Sequence, residues 1–266
     1  MFPALAIVFP AIDPVAFSAG PFSIHWYALS YVAGILIGWW YLHRLNSIPP
    51  YALTEKALDD IILWIVIGII LGGRLGYVFF YNSDYYFSNP QDILKVWNGG
   101  MSFHGGLIGV ILAIYLLAKK HRLEFWRVID LVACVTPIGL ALGRIANFIN
   151  GELYGRVTDV SWGVVFPGQE EARHPSQLYE SFLEGFILLV IMALLVFFTN
   201  SRDKPGTLSG YFLIFYSLFR FSMEIFREPD AHIGFLQFGF TMGQLLCIPM
   251  MLFGIYLVLR PRGKRK

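Results

Sequence analysis

The sequence predicts an all-α polytopic membrane protein with seven transmembrane helices. The N-terminus is expected outside and the C-terminus inside, with a small extracytoplasmic head and a surface arm. Three observations carry this reading. Apolar residues make up 56% of the 266 positions and charged residues only 14%, and mean hydropathy is +0.60, outside the balance of a soluble globular domain. Seven stretches approach the ~20 apolar residues that a bilayer-spanning helix needs. Basic residues divide unequally between alternate connections.

The spans are expected near 22–42, 59–81, 102–118, 128–149, 177–199, 207–227 and 239–259, each bounded by a polar stretch holding Pro or Gly. The chain carries 24 Phe, 14 Tyr and 7 Trp, which suits aromatic belts at two interfaces. One set of connections holds Arg44, Lys56, Lys119, Lys120, Arg122, Arg127, Arg202, Lys204, Arg260, Arg262, Lys264, Arg265 and Lys266; the other holds Lys95, Arg156 and Arg173. The richer side is cytoplasmic by the positive-inside rule. Residues 1–266 read as a single integral membrane domain, with 82–101 as the arm and 150–176 as the head. The arm is amphipathic and suits a lipid surface; in the head, 161–168 reads as a short strand ending in a turn. Met1–Gly20 lacks the basic start of a cleaved signal peptide and, with its three prolines, reads as a surface segment. Cys134 and Cys247 stand in apolar stretches as small core residues.

Four basic residues fall inside the spans, and all are arginines: Arg74, Arg144, Arg220 and Arg227. A charge at the bilayer centre costs ~2.5 kcal/mol or more, so these side chains are expected to face a protein interior or a wet cavity. Given the orientation, Arg74, Arg144 and Arg220 stand at least 13 residues beyond the cytoplasmic ends of their helices. At ~1.5 Å per residue they reach from the midplane outward. His25, Tyr27 and His104, near the starts of inward-running helices, share that outer half. Buried arginine without lysine points to an oxyanion, because the guanidinium fork stays charged and binds phosphate or carboxylate bidentately. Arg220, Glu224 and Arg227 are spaced so that Glu224 can pair with both arginines. Arg74 and Arg144 have no carboxylate at helical spacing and are the better phosphate candidates. Glu180 and Glu184 share one helix face, either as structural partners or as part of a site.

The densest polar constellation is Gly143-Arg-Ile-Ala-Asn-Phe-Ile-Asn-Gly-Glu-Leu-Tyr-Gly155. Arg144 and Asn147 lie on one face of their helix, and Asn150-Gly151 turns the chain toward Glu152 and Gly155. A guanidinium, an amide and a carboxylate around a turn can hold a phosphate and its polyol. In Asn98-Gly-Gly-Met-Ser-Phe-His-Gly-Gly106, Ser102 is expected to cap a helix with His104 in its first turn, a candidate proton acceptor. Arg173-His-Pro-Ser-Gln-Leu-Tyr-Glu180 opens the fifth span with Pro175 in its first turn, and His174 reads as a contact to the head.

The 143–155 stretch, with HGG at 104–106, GGRLGYVFFY at 72–81, RHPSQLYE at 173–180, FRFSMEIFREPD at 219–230 and HWYALSY at 25–31, resembles the bacterial prolipoprotein diacylglyceryl transferases. The resemblance covers nearly the whole chain. It implies an inner-membrane enzyme, its active site toward the periplasm. Such an enzyme moves the diacylglyceryl group of phosphatidylglycerol to the lipobox cysteine thiol of a prolipoprotein, forming a thioether and releasing glycerol 1-phosphate. It also implies functional weight at Tyr27, His104, Arg144, Asn147, Gly155 and Arg220. The expected catalytic set is His104 as base, Tyr27 as orienter or alternative base, and Arg144 and Arg220 on the leaving phosphate. The expected substrate contacts are Arg144, Asn147, Glu152, Gly155, Arg74, Glu224, Arg227 and His25. No cofactor, metal motif or nucleic-acid partner is expected. The alternative is an anionic phospholipid transporter or flippase, against which stand the absence of an internal repeat and the outward skew of the polar set.

Overall fold

The structure, a computed structural model, describes residues 6–10, 12–20, 22–228, 234, 236 and 239–261. Arg262, Lys264, Arg265 and Lys266 of the basic tail, Pro229 and Asp230 of the 219–230 motif, and residues 1–5 and 11 of the N-terminal segment lie outside them. The described helices are α1 (Trp26–Asn46), α2 (Glu55–Phe80), α3 (Ser83–Ser88), α4 (Phe103–Lys120), α5 (Phe125–Ile149), α6 (Ser176–Glu180), α7 (Leu188–Phe198), α8 (Thr207–Met223) and α9 (Met242–Leu259). A π-helical segment, Ser181–Ile187, joins α6 to α7 without a break. Among the described residues five helices are long and apolar enough to cross a membrane: α2, α4, α5, Ser176–Phe198 and α9. The other two expected spans are also helical, as α1 and α8.

Local chemistry sets most boundaries. Thr54 accepts from the backbone N–H of Ala57 and starts α2 one turn before the expected position. Ser102 caps α4 by accepting from Gly105, as the sequence predicts. Thr241 and Gln244 form a reciprocal capping box at α9. Pro175 is the cap preceding α6 rather than a residue of its first turn. The start of α1 is a correction: the span expected at 22–42 is helical only from Trp26. Residues Phe22–His25 form strand β3, paired antiparallel with β2 (Val15–Ala19). Gly20, at φ +59°, turns that hairpin, a conformation glycine adopts without steric cost.

By Cα packing the chain divides into two compact units, residues 1–42 with 132–266, and residues 43–131. In the smaller unit α2 and α4 pack along glycines. A Cβ on Gly109 would strike the carbonyl of Gly68, and one on Gly105 that of Gly72. A Cβ on Gly76 would lie 2.7 Å from Gly105 Cα. Such backbone-to-backbone packing is how helices associate where lipid removes the hydrophobic drive between them. Large apolar side chains such as Leu71 and Ile108 stand exposed on the same helices.

In the larger unit, the head has its own small core. Phe166 sits against Phe9, Phe148 and Tyr154, with ring centroids 5.4, 5.9 and 5.0 Å away. The expected strand is present as β4 (Val164–Val165), paired parallel with β1 (Ile7–Val8). Arg173 and Val164 exchange backbone hydrogen bonds of 2.8 and 2.9 Å. The end of α8 is tied to this head. Arg156 Nε donates to Arg227 O at 2.7 Å and its Nη2 to Glu224 O at 3.2 Å, satisfying carbonyls that the ending helix leaves unpaired.

Candidate functional site

Helix α5 presents Arg144 and Asn147 one turn apart, and a strained turn follows. Leu153 holds φ +56°, which costs a residue with a Cβ about 1–3 kcal/mol. The turn is pinned from α6: Ser176 Oγ donates to Leu153 O at 3.2 Å, and Gln177 donates to Glu152 O. Within it Asn147 Nδ2 donates to Glu152 Oε1 at 2.8 Å, so the amide and carboxylate expected together are together. Gly155 ends the turn where the backbone of Phe226 passes. A Cβ there would strike Phe226 O, and Gly155 N donates to His174 O at 2.8 Å. His174 does contact the head region, its backbone N–H donating to Arg156 O at 3.0 Å, and its ring lies 5.1 Å from that of Phe226 on the α8 side.

Ser176, Gln177, Glu180, Ser181 and Glu184 are all buried, a polar stripe on an otherwise apolar helix. Ser181 Oγ donates to Ala141 O at 3.0 Å, and Gly185 rests on the Ala141 backbone, so the stripe faces α5. Glu180 is the hub. Its Oε2 lies 2.7 Å from Arg144 Nη2 and 3.0 Å from Arg220 Nη1, and its Oε1 lies 3.0 Å from Arg227 Nη1. Arg144, which has no carboxylate at helical spacing, thus has one across helices. Helical spacing reveals partners only within one helix, and this one comes from another.

Glu224 pairs with both Arg220 and Arg227, as its spacing predicts, although Arg227 lies past the end of α8. Thr241 Oγ1 donates to Glu224 Oε2 at 2.7 Å, and Gly243 leaves room for the carboxyl at the start of α9, where the helix dipole favours it. Glu184 stands closest to Arg220 at 3.8 Å, beyond hydrogen-bond reach. The arginine side chains of positions 144, 220 and 227 keep 20, 15 and 13% of their surface accessible, whereas Glu180 and Glu184 keep none. These two carboxyls thus form a floor and the arginine side chains a rim.

Tyr27 opens α1, its hydroxyl 3.0 Å from that of Tyr31, and it is near enough to Arg144 and Glu152 to feel both charges. His25 is exposed at the end of β3. In the other unit Arg74 is buried and His104 occupies the first turn of α4. His104 is exposed, because the face of α4 that packs on α2 is the one carrying Gly105 and Gly109. Sequence reasoning left the role of Glu180 open and missed those of Gln177 and Arg156. The buried polar stripe at 176, 177, 180, 181 and 184 was the available signal for the first two.

Apolar helices enclosing three arginines over buried glutamates define a multi-pass membrane protein with a buried cluster of ion pairs. The model of the prolipoprotein diacylglyceryl transferase family matches residues 14–260, and the chain belongs to that family. It is 55% identical over 255 residues to the phosphatidylglycerol–prolipoprotein diacylglyceryl transferase of Rickettsia bellii (strain OSU 85-389), covering 96% of this chain and 97% of that protein. The protein of the same name from Rickettsia felis is 54% identical over 259 residues, covering 97% of this chain and all of that protein.

Proposed function

We propose that this protein transfers the diacylglyceryl group of phosphatidylglycerol to the lipobox cysteine of prolipoproteins, the first step of lipoprotein maturation. Family membership supports the reaction, and the arginine rim over the Glu180 floor is the observation that carries it. In this reading seven helices, α1 and α8 included, cross the bacterial inner membrane. The N-terminus is outside, the C-terminus inside, and the head and the arm lie on the periplasmic side.

The thiol sulfur attacks the glyceryl carbon that bears the phosphate. A C–S bond forms, the C–O bond breaks, and glycerol 1-phosphate leaves with the electron pair. A free cysteine has a pKa near ~8.5 and is mostly protonated at neutral pH, so a base must take the thiol proton. His104 takes it, with Tyr27 orienting the thiol or standing in as base. Arg144 and Arg220 meet the charge that grows on the leaving phosphate, where a site sheltered from water gives each hydrogen bond most weight. Arg227 adds a third guanidinium, and Glu224 keeps Arg220 and Arg227 aimed. Asn147 and Glu152 hold the head-group glycerol beside Gly155, and His25 borders the same head group. Both acyl chains stay in lipid.

The test is reconstitution with phosphatidylglycerol and a lipobox peptide carrying Cys or Ser. Transfer to the Cys peptide alone is expected, and equal modification of both would reject the thiol mechanism. Scrambling of labelled lipid without peptide would move the protein to the flippase class.

A further inference from the structure

Arg74 is the one arginine among the four expected in the spans that no carboxylate meets in the described contacts. Its five N–H groups go to five backbone carbonyls. Nε donates to Ile93 O at 2.8 Å, Nη1 to Gly99 O and to Gly100 O, and Nη2 to Asp92 O and Lys95 O. These carbonyls belong to the 3-10 turn Pro90–Leu94, to Lys95, which joins it to a second turn (Val96–Asn98), and to the glycine pair that follows. Two of them also accept a backbone N–H, Asp92 O from Lys95 and Lys95 O from Asn98, and only a planar five-donor fork can reach all five at once; lysine has three donors. The Tyr86 ring lies 5.0 Å from the guanidinium carbon.

The same segment leads directly into α4. Gly100, at φ +79°, has the Tyr77 ring where a Cβ would stand. Ser102 N donates to Gly73 O, next to Arg74, at 2.8 Å, and Ser102 then caps the helix whose second residue is His104. With every donor occupied, Arg74 has none to offer a phosphate unless the arm lets go.

We propose that Arg74 is a positioning residue: it latches segment 92–100 to α2 and so fixes where His104 stands, without touching the lipid. The positioning part rests on the reading of His104 as the base. The experiment compares wild type, Arg74→Lys and Gly100→Ala as full chains in lipid nanodiscs, by turnover with phosphatidylglycerol and a lipobox peptide and by amide hydrogen exchange. Both variants are expected to lose about ten- to a hundredfold in kcat, the cost of a misplaced catalytic group. KM for phosphatidylglycerol should stay within about twofold, because no ground-state contact is removed. Exchange across 92–102 should quicken. A raised KM with kcat and exchange unchanged would make Arg74 a lipid ligand and overturn the proposal. Faster exchange with kcat unchanged would overturn the positioning role. His104→Gln is run alongside: if it retains full turnover the base assignment fails by itself, while exchange still decides whether Arg74 holds the arm.

Discussion

One oxygen of Glu180 serves two arginines from different helices, Arg144 at 2.7 Å and Arg220 at 3.0 Å. With Arg227 on its other oxygen, this single carboxyl holds three guanidiniums in place before any lipid arrives. Glu180→Ala leaves three partly buried charges short of a partner. It should destabilise the protein by about 3–5 kcal/mol, the usual result of removing one side of a buried pair. Glu180→Gln, which keeps an acceptor oxygen, should cost less. Thermal midpoints in one detergent check the order, and an Ala variant as stable as wild type would remove Glu180 as the hub.

Arg144→Lys preserves the charge and loses the fork. Turnover should fall about a hundredfold or more, the scale of losing a donor to a developing oxyanion. Label transfer from phosphatidylglycerol to a lipobox peptide measures it, alongside a thermal midpoint close to wild type. Near-normal turnover would mean that a point charge suffices there.

The glycine seam of the smaller unit separates two neighbouring substitutions. At Gly109 a Cβ meets the Gly68 carbonyl, which is backbone and cannot swing aside, so Gly109→Ala should cost about 1–3 kcal/mol. At Gly106 the nearest atom is Ile69 O at 3.8 Å, so Gly106→Ala should be neutral or stabilising by up to about 1 kcal/mol through helix propensity. Unfolding of the two variants side by side decides it, and equal effects would mean that α2 and α4 do not touch along this seam.

His174 supplies a pH dependence. Burial holds its proton affinity below the ordinary value of 6.5, with Asp159 opposing and the Tyr179 hydroxyl 3.3 Å from Nδ1. The unfolded chain takes up this proton at a higher pH than the folded one. The contribution to stability is therefore complete above 6.5 and is lost as pH falls from there through the lower folded value. His174→Gln should flatten the thermal midpoint between about pH 5 and pH 7. An unchanged acid limb would assign the effect elsewhere.

Helices and their partners within a helix were legible in the sequence because both follow from local periodicity. Ser102 as a cap, Glu224 between two arginines, and Asn147 beside Glu152 all required only a few residues of context. Glu180 to Arg144 was not legible: the two stand 36 positions apart on helices whose relative rotation no spacing reports. The β2–β3 hairpin was hidden for another reason. Phe22, Ile24 and their neighbours are apolar enough to extend the α1 pattern, and a short apolar run does not distinguish strand from helix. Arg74 was read by its charge, whereas its use of neutral carbonyls depends on turns the sequence does not announce.

The π-helical segment at Ser181–Ile187 ties the aim of Glu180 to helix winding as well as to side-chain chemistry. A π turn closes hydrogen bonds one residue later than an α turn, so it accommodates one residue more for the same advance. Wound as regular α-helix with all its residues kept, the segment would rotate α6 by about 100° against α7 and carry Glu180 away from the arginines. Deleting a single residue there instead relaxes the helix to α geometry with α6 and α7 still in phase, so a one-codon deletion is a frame-preserving change that the site can absorb.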